Sequence, residues 1–545
     1  MKKPLVVLCA LVCSTLSLSA QIDKSSFKKE MEARKNEYKT LRTEQRKEYE
    51  EYRKQLNAEY AEYMRQAWPE YKVKPAKPVP PRKEPPKPVV KTPEEPATLP
   101  VILPFPQEEP VVEPAIEPAE EPTEEPAVPI VEPETEPVAE PEEEDTDEPE
   151  EMVLPFDEVV PLAEPTQPVV PAIPLPEVTP VVTSVPGHTF SYYGTSCKIA
   201  GMNSTHRFVL AGVKEEHVAD AWVTLAADKY LSVLAQCAEY REKLNLCDWG
   251  YVRFLQEMTE SFFPASQRNE AVLLQVYLLV QSGYKVRMAR TGDRLVLLLP
   301  IEHEVYNYSY LTVDGIPYYV IDKLEAGQSF YLYDRAFAKE TSVSLYMTSP
   351  PSLPAAEACM VERTLTSTRN ISTTVEVDRN LIDFYNDYPV NSQWGYYSSA
   401  SLSEEAKASL YPILELYTLE ESKAEAANLL LNFVQTAFEY KTDDEQFGYE
   451  RPLFGDETFF YPYCDCEDRS ILYSILVRDL LGLDVVLLNY PGHLATAVKF
   501  EEDVSGDYIL LNDGKYIVCD PTYIGASIGE AMPDCRDEKA VIVRI

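Results

Sequence analysis

The chain has 545 residues and a formal net charge of −40, with 50 Lys and Arg residues against 90 Asp and Glu residues. This length allows several domains, and so acidic a balance argues against nucleic acid and anionic membrane surfaces as partners. The charge is unevenly distributed, because the stretch from Val101 to Gly187 has no Lys or Arg but 24 Asp and Glu residues.

The first 20 residues have the organisation of a secretory signal peptide. Lysines follow Met1, an apolar run extends from Leu5 to Leu18, and Ser19-Ala20 supplies small residues. We predict cleavage before Gln21 and export of the mature chain. The apolar run is short for a bilayer and no other run approaches the needed length, so no transmembrane segment is predicted in the mature chain. An uncleaved anchor is the alternative.

Residues 21–72 are predicted to form a long amphipathic helix. Apolar residues recur at close to 3.6-residue intervals from Phe27 to Ala67, with charged residues between them and no Gly or Pro in that stretch. The stripe is narrow and rich in Tyr, which favours a partner helix or self-association. A lone helix, stabilised by its charges and partly frayed, is an equally good interpretation.

Residues 73–186 are predicted to be a disordered, extended spacer. Pro, Glu and Val dominate the segment, which begins basic and becomes strongly acidic. Repeated Glu-Pro units cannot form helices or sheet ladders, and like charges extend the chain. The spacer would hold the folded part away from a surface or another protein. A binding role for the Pro-Glu tract is the alternative.

Globular composition begins near His188 and continues to the C-terminus. Residues 187–345 are predicted to be one module, 346–400 a β-rich connector, and 401–545 a second module. Helical patterns precede strand patterns in both modules, which predicts the α+β class. The predicted helices are Ala219–Cys247, Asp248–Phe262, Asn269–Gln281, Leu402–Leu416 and Lys423–Tyr440.

The stretch from Tyr463 to Ser470 begins the part of the chain that could carry chemistry. A helix is predicted to start at Asp465 and to end at Gly482, and a buried strand follows at Val485–Leu488. Further strands are predicted after Pro491-Gly492 and on both sides of a turn at Asn512-Asp-Gly514; the last ends at Cys519-Asp520-Pro521.

Cys466, His493 and Asp520 form a candidate acyl-transfer site. A thiol in the first turn of a helix gains nucleophilicity from the free N–H groups, which also offer an oxyanion donor. His493 is the only histidine after His303 and would be the base, oriented by the carboxylate of Asp520. Taken singly, these residues are more often a core cysteine, a hydrogen-bonded histidine and a turn-forming aspartate. Their order along these elements favours catalysis.

Cys466-x-Asp468-x-Ser470, the apolar helix that ends at Gly482, Pro491-Gly492-His493 and Asp520-Pro521-Thr522 resemble the transglutaminase-like branch of the papain-like cysteine enzymes. The segment Asp465–Ser470 is similar to exported transglutaminase-like proteins of Bacteroidetes. The resemblance covers roughly Leu429 to Thr522 and implies a papain-like module with a helix packed on an antiparallel sheet. It also implies that Cys466 is the nucleophile, His493 the general base and acid, and Asp520 the orienting residue.

The family includes transglutaminases, peptidases, amidases and inactive members. Leu494 and Ala495 follow the histidine where many relatives have an aromatic residue, so substrate preference is not carried over. Tyr463 and Gln435 are weak candidates for a second oxyanion donor. Cys464 is an alternative nucleophile, although the Cys-x-Asp-x-Ser spacing favours Cys466.

Eight cysteines remain after the signal peptide, so one or two disulfides are compatible with export. A Cys464–Cys466 disulfide would be strained, whereas a bond from Cys464 to Cys519 or Cys535 is more plausible. Neither a CxxC motif nor regular Cys/His spacing is present, so no zinc site is predicted. No metal or organic cofactor is expected.

The first module resembles a second copy that lacks the chemistry. Asn269–Arg287 aligns with Asp468–Val486 without a gap, Gly283 falls on Gly482, and Asp314-Gly315 falls on Asp513-Gly514. With one inserted residue, Asp322 falls on Asp520. Gln267 then occupies the place of Cys466, and Arg294 that of His493. Chance similarity between helix–strand–hairpin units is the alternative.

The sequence therefore predicts an exported cysteine acyl-transfer enzyme that acts on peptide or glutamine-type amide bonds through a Cys466 thioester. Hydrolysis is favoured over transamidation because nothing marks an amine-binding site. The competing hypothesis is a non-catalytic protein that binds a peptide or assembles in the cell envelope and retains the fold.

Overall fold

The structure is a computed structural model that describes residues 40, 44, 47–80, 90–91, 151–162, 169, 171, 185–322, 328–354 and 359–545. The predicted signal peptide and most of the predicted spacer lie outside the described residues. The chain forms two compact units. The first comprises Met1–Pro80, Ala163–Val361 and Glu376–Glu405, and the second comprises Pro81–Leu162, Glu362–Val375 and Ala406–Ile545.

Both units contain helices and strands that are joined by loops. The α-helices of the described residues are α1 (47–64), α2 (Glu215–Leu225), α3 (Lys229–Lys243), α4 (Asp248–Phe262), α5 (Arg268–Gln281), α6 (Arg379–Asn386), α7 (Trp394–Ser399), α8 (Glu404–Thr418), α9 (Lys423–Thr436), α10 (Asp443–Gln446), α11 (Gly455–Phe460) and α12 (Cys466–Leu476).

The strands are short, as expected for antiparallel sheets. They are β1 (Glu70–Lys72), β2 (Phe156–Val160), β3 (Gly187–Tyr192), β4 (Thr195–Ala200), β5 (Arg287–Thr291), β6 (Arg294–Leu299), β7 (Tyr310–Val313), β8 (Ile316–Val320), β9 (Ser329–Tyr333), β10 (Met360–Thr366), β11 (Ser372–Asp378), β12 (Glu439–Tyr440), β13 (Tyr463–Cys464), β14 (Asp484–Tyr490), β15 (His493–Lys499), β16 (Tyr508–Leu511), β17 (Gly514–Cys519) and β18 (Ala540–Arg544).

The first unit is built on a six-stranded sheet with the order β1-β9-β5-β6-β8-β7. All neighbouring strands in it are antiparallel. Helix α5 packs against β6 and β5, and every side chain from Glu270 to Gln281 is buried. The predicted helix Ala219–Cys247 is two helices, because the chain turns between Leu225 and Lys229.

Helix α1 packs on the first unit through its C-terminal half. Tyr60 is buried, and its ring lies 5.0 Å from Trp222 and 4.9 Å from Tyr333, measured between centroids. Buried Asn57 accepts hydrogen bonds from the Trp222 indole at 2.9 Å and from the Gln281 amide at 3.0 Å. Tyr52, one of the predicted stripe residues, is 52% exposed. The described part of the predicted helix is therefore docked on its own chain, and self-association stays a prediction.

The second unit is built on a six-stranded sheet with the order β16-β17-β15-β14-β18-β2. Its strands are antiparallel except for β2, which is parallel to β18. Helix α12 packs against β15 and β14. One π-helical turn extends α12 to Leu481, and Gly482 at φ +66° ends it, as the sequence predicts, since a left-handed residue suits glycine at a helix end.

Both ends of the predicted spacer contribute to folded sheets. Val73 is buried in the core of the first sheet, and Leu154 in that of the second. Strand β2 adds a further edge strand, with Val159 paired to Ile542. The prediction of an extended spacer missed these segments because their pairing partners lie hundreds of residues away, where local composition carries no information.

The predicted connector, residues 346–400, is divided between elements of both types. Strands β10 and β11 form a two-stranded sheet, and helices α6 and α7 follow it. Residues Glu362–Val375 belong to the second unit, whereas the residues on either side belong to the first.

The α+β class is confirmed. Among the described residues, no helix is both long and apolar enough to cross a membrane.

Candidate active site

His493 and Asp520 form a buried hydrogen-bonded pair. His493 begins β15 and Asp520 directly follows β17, and these strands are neighbours in the sheet. The Nε2 atom of His493 lies 2.8 Å from Asp520 Oδ2, and both residues are 2% exposed. The Nδ1 atom of the ring is buried without a hydrogen-bond partner. If Nε2 carries the proton that the carboxylate accepts, Nδ1 has a free lone pair.

The loop after Asp520 fixes the carboxylate. Its Oδ1 atom accepts hydrogen bonds from the backbone N–H groups of Thr522 at 2.8 Å and Tyr523 at 3.3 Å. The Gln435 amide group on α9 donates to the carbonyls of Asp520, Tyr523 and Ala526 at 2.9 to 3.1 Å. Gln435 is thus committed to positioning this loop, which removes it as an oxyanion donor.

Cys466 is the first residue of α12, and its side chain is fully buried. One helical turn later, the Ser470 hydroxyl donates to the carbonyl of Leu494 at 2.7 Å. Leu494 is the residue next to His493. Ser470 lies about one turn beyond Cys466, which is a rise of about 5.4 Å along the helix axis. This hydrogen bond therefore ties the beginning of α12 to the strand end that carries His493.

The Cys466 thiol donates a hydrogen bond to a carboxylate that the sequence analysis did not consider. Its Sγ atom lies 3.1 Å from Oε2 of Glu467, which is also fully buried. A carboxylate beside a thiol opposes formation of the thiolate because the two negative charges repel. In this geometry the thiol hydrogen bond is directed at Glu467.

Asp465, Glu467 and Asp468 belong to a buried acidic cluster that also includes Asp443 of α10. Burial and the charge of Glu467 raise the pKa of Asp468 to about 8. Burial and the charges of Asp468 and Glu467 raise the pKa of Asp443 to about 10. Asp465 is shifted in the same direction, since burial and its acidic neighbours raise its pKa. Oxygens of Asp443, Asp465 and Asp468 are close enough to share one metal ion.

Asp468 and Arg469 hold α12 in place. Asp468 accepts hydrogen bonds from the N–H groups of Asp465 at 3.2 Å and Leu453 at 2.9 Å, so it caps the start of α12. The fully buried Arg469 donates to the carbonyl of Gln435, in the last turn of α9, and to that of Phe438, just after the helix. Cationic groups stabilise helix C-termini in this way.

Tyr440 is a second polar residue that the sequence analysis missed. It lies on β12, which is parallel to β13 and pairs Tyr440 with Cys464. Its hydroxyl is buried without a hydrogen-bond partner. Burial raises the pKa of Tyr440, and charge on Cys466, Asp465 and Glu467 raises it further, so this hydroxyl remains a neutral donor beside the candidate nucleophile. Tyr463, the candidate named from sequence, instead has Lys441 over its ring at 4.9 Å.

The eight cysteines from Cys197 to Cys535 are free thiols, so none of the disulfides considered from the sequence is formed. Cys464 is buried, and burial raises its pKa. Burial likewise raises the pKa of Cys519 to about 12. Burial therefore favours the protonated form of both thiols.

The first unit has other chemistry at the aligned positions. Gln267 precedes α5 and donates to the carbonyl of Phe208 at 3.1 Å. Arg294 begins β6, as His493 begins β15, and its guanidinium lies 3.9 Å from Asp322. Arg268 also binds Asp322, at 2.5 Å. An ion pair therefore occupies the aligned position of the His493–Asp520 pair, and neither a thiol nor an imidazole stands at these positions.

In comparisons with protein-family models, with curated proteins and with solved structures, no match to this chain was found.

Little in the sequence could have revealed Glu467, Tyr440 and Asp443 as neighbours of Cys466. Glu467 is adjacent to Cys466, but a charged residue in the first turn of a helix is usually solvated. Tyr440 and Asp443 precede Cys466 by over 20 residues, and their proximity depends on the β12–β13 pairing and on the loop between them. Cys466, His493 and Asp520 could be found because each lies at an element end that turn and capping signals mark.

Proposed function

We propose that the chain is an exported cysteine acyl-transfer enzyme of the transglutaminase-like type, with Cys466 as nucleophile, His493 as general base and acid, and Asp520 as the orienting residue. The observation that best supports this proposal is the His493–Asp520 hydrogen bond of 2.8 Å, together with an Nδ1 atom of the same ring that has no partner. A cysteine enzyme needs this arrangement, because the carboxylate holds one ring nitrogen and the other must accept the thiol proton.

The proposed reaction has two steps. His493 Nδ1 takes the proton from Cys466 Sγ, and the thiolate attacks the carbonyl carbon of an amide to give a tetrahedral oxyanion. As this intermediate collapses, the C–N bond breaks, the imidazolium gives its proton to the leaving amine, and a thioester remains on Cys466. Water, deprotonated by His493, then attacks the thioester and releases the acid and the free thiol.

Two kinds of donor are proposed for the oxyanion. The N-terminus of α12 directs backbone N–H groups and the positive end of the helix dipole towards the Cys466 region. The Tyr440 hydroxyl is the proposed side-chain donor, since it is buried, lacks a partner and interacts electrostatically with Cys466. An oxyanion would supply the acceptor that this hydroxyl lacks.

We further propose that the two units are copies of one papain-like module and that the first has lost its chemistry. The central strands of the two sheets follow one order, β5-β6-β8-β7 and β14-β15-β17-β16. Two more strands complete each sheet on the side of the first of these four. They are β9 and then β1 beside β5, and β18 and then β2 beside β14. A hydrogen bond also joins helix to strand in the first unit, from the N–H of Leu295 to Asn269 at 2.9 Å; Leu295 aligns with Leu494, whereas Asn269 aligns with Asp468.

The proposed substrate is a peptide or protein amide, including glutamine-type amides. Hydrolysis is favoured over transamidation, because nothing in the sequence marks a second, amine-binding site. The predicted signal peptide would deliver the enzyme outside the cytoplasm. No organic cofactor takes part in these steps.

A non-catalytic binding or assembly role is the second candidate, and one observation favours it. The Cys466 side chain is fully buried and its thiol is bonded to Glu467, so substrate cannot reach the sulfur in this conformation. Catalysis requires the site to open. A protein that only retains the fold would keep the thiol closed and protonated.

Labelling with iodoacetamide distinguishes these functions. In the full chain at pH 7, the enzyme hypothesis predicts selective alkylation of Cys466, read by peptide mass spectrometry, and its loss in His493→Ala. Cys359, which is half-buried, serves as the internal free-thiol reference, while Cys519 should remain unlabelled because burial raises its pKa. Labelling of Cys466 no faster than that of Cys359, and unchanged in His493→Ala, would contradict the enzyme hypothesis.

A further inference from the structure

The loop that follows Asp520 is held by two different parts of the chain. Gln435 of α9 donates a hydrogen bond to the Tyr523 carbonyl at 2.9 Å and accepts one from the N–H of Gly525 at 3.3 Å. The residue between them, Ile524, is contacted by a segment from far earlier in the sequence. Since Asp520 belongs to the proposed site, what holds this loop bears on the site.

Val90 and Lys91, from the predicted spacer, are the residues that contact the loop. Val90 and Ile524 form an isolated parallel β-bridge, and the Lys91 N–H donates to the Ile524 carbonyl at 2.9 Å. The Lys91 ammonium donates to Oε1 of Glu530 at 2.8 Å. All of these residues belong to the second unit. We call the two Lys91 contacts the Lys91 clamp, because they join two points of one loop that are six positions apart.

The Glu530 carboxylate is itself fixed within the loop. Its Oε2 atom accepts a hydrogen bond from the N–H of Ser527 at 3.2 Å, while Oε1 accepts from Lys91. The Lys91 and Glu530 side chains are 35% and 34% exposed. The ion pair is therefore partly shielded from water, and salt should still weaken it.

We infer that Lys91 is a positioning residue for Asp520, through the loop that it clamps. The N–H groups of Thr522 and Tyr523 bind Asp520 Oδ1 at 2.8 and 3.3 Å, and these two residues directly precede Ile524. A loop that is held at fewer points samples more conformations, so both hydrogen bonds would be made for less of the time. The inference rests on the proposed function, in which Asp520 orients the base.

The strength of the Lys91 clamp limits the size of its effect on the site. A contact can shift an equilibrium elsewhere by no more than its own difference in free energy between the two states. One backbone hydrogen bond and one partly exposed ion pair together correspond to roughly one decade in an equilibrium constant. Loss of the Lys91 clamp should therefore slow alkylation of Cys466 by about threefold to tenfold without abolishing it.

Hydrogen exchange of the full chain, measured by mass spectrometry, reads the loop directly. Lys91→Pro removes the backbone N–H and the ammonium together, whereas Lys91→Arg keeps both kinds of donor. Exchange at residues 522–530 should be at least about threefold faster in Lys91→Pro and unchanged in Lys91→Arg. Lys74→Ala is the matched control, because Lys74 is also a lysine of the predicted spacer but binds Thr312 of the first unit, at 2.9 Å. It should leave exchange of this loop unchanged.

Iodoacetamide labelling at pH 7 then tests the effect on Cys466. Lys91→Pro should be labelled more slowly by the factor given above, and Lys91→Arg at the original rate. Raising NaCl to about 0.5 M should slow labelling of the original chain and reduce its difference from Lys91→Ala, which lacks only the ammonium. A merely structural role would lower Tm without this salt-dependent difference in Cys466 reactivity.

Unchanged exchange at residues 522–530 in Lys91→Pro would overturn the Lys91 clamp itself. Faster exchange together with an unchanged rate of Cys466 labelling would overturn the positioning role. If Cys466 of the original chain is labelled no faster than Cys359, the proposed function fails and the positioning role falls with it. The exchange measurement does not depend on chemistry at Cys466, so it still decides whether the Lys91 clamp holds the loop.

Discussion

The Nε2 atom of His493 lies 2.8 Å from Asp520 Oδ2, within hydrogen-bond distance, while the other ring nitrogen, Nδ1, is buried without a partner. This asymmetry separates the pair from an ordinary buried histidine, in which both nitrogens usually find partners. An oriented imidazole with one free lone pair has the geometry that a general base requires.

Replacing Asp520 by Ala should remove the orientation of His493. We expect the rate of acyl transfer to fall by about 10²-fold to 10⁴-fold, since the ring can then take the wrong tautomer. Alkylation of Cys466 by iodoacetamide should slow in parallel. Thermal unfolding provides the control, and a folded variant with undiminished Cys466 reactivity would show that Asp520 does not support the base.

Tyr440→Phe tests the proposed oxyanion donor. The substitution removes only a hydroxyl that has no hydrogen-bond partner, so the free energy of unfolding should stay within about 1 kcal/mol of the original value. The turnover rate should fall by about 10²-fold to 10³-fold, with little change in KM, because the bond forms mainly in the transition state. An unchanged turnover rate would exclude this role.

Ser470→Ala tests the contact that ties α12 to β15. Loss of the 2.7 Å hydrogen bond to the Leu494 carbonyl should lower the free energy of unfolding by about 1 kcal/mol and reduce Cys466 reactivity. Ser474→Ala is the matched control, since Ser474 is also fully buried on α12 but donates to Ile471 within its own helix. It should leave Cys466 reactivity unchanged; an equal loss in both variants would argue against a specific role for the Ser470–Leu494 bond.

Asp513 gives a prediction for pH dependence in the hairpin between β16 and β17. Hydrogen bonds from Arg544 and Tyr516 hold the pKa of Asp513 well below its usual range. The folded state therefore binds fewer protons than the unfolded state, whose carboxyl has a pKa of about 4. The stabilisation is present above that pH and is lost as the pH falls below it.

Urea unfolding of the original chain and of Asp513→Asn between pH 7 and pH 3 measures this effect. Since the Asp513 side chain is 39% exposed, the difference should be at most about 1 kcal/mol at low salt. It should be constant above about pH 5 and shrink towards pH 3. A difference that grows on acidification would have the wrong sign for a carboxylate with a lowered pKa.

The sequence was sufficient where local signals determine structure. Gly482 at the end of α12, the strand that begins near His493 and the turn before Gly514 are all present as predicted. The three site residues lie beside these signals, and the structure joins His493 to Asp520 directly. Charged residues at a helix start and glycines at a turn leave few alternatives for the backbone.

Long-range pairing accounts for most of what the sequence did not provide. Strand β2 lies in a segment whose composition is typical of disorder, and it is held by β18 across about 380 residues. Helix α1 was predicted from its periodicity, but its docking depends on Asn57 and Tyr60 meeting partners such as Trp222. The acidic cluster was hidden for the same reason, because charged residues are expected to be solvated unless tertiary structure buries them.

The most direct test of the central claim is a search for an acyl intermediate on Cys466. The full chain is incubated with a library of amide and peptide substrates, quenched in acid and digested for mass spectrometry. We expect a thioester on the peptide that contains Cys466, which hydroxylamine removes, with none in Cys466→Ala and a strongly reduced amount in His493→Ala. If Cys466 becomes alkylated by iodoacetamide under the same conditions and yet no substrate leaves an acyl group on it, the claim that this chain is an acyl-transfer enzyme is contradicted.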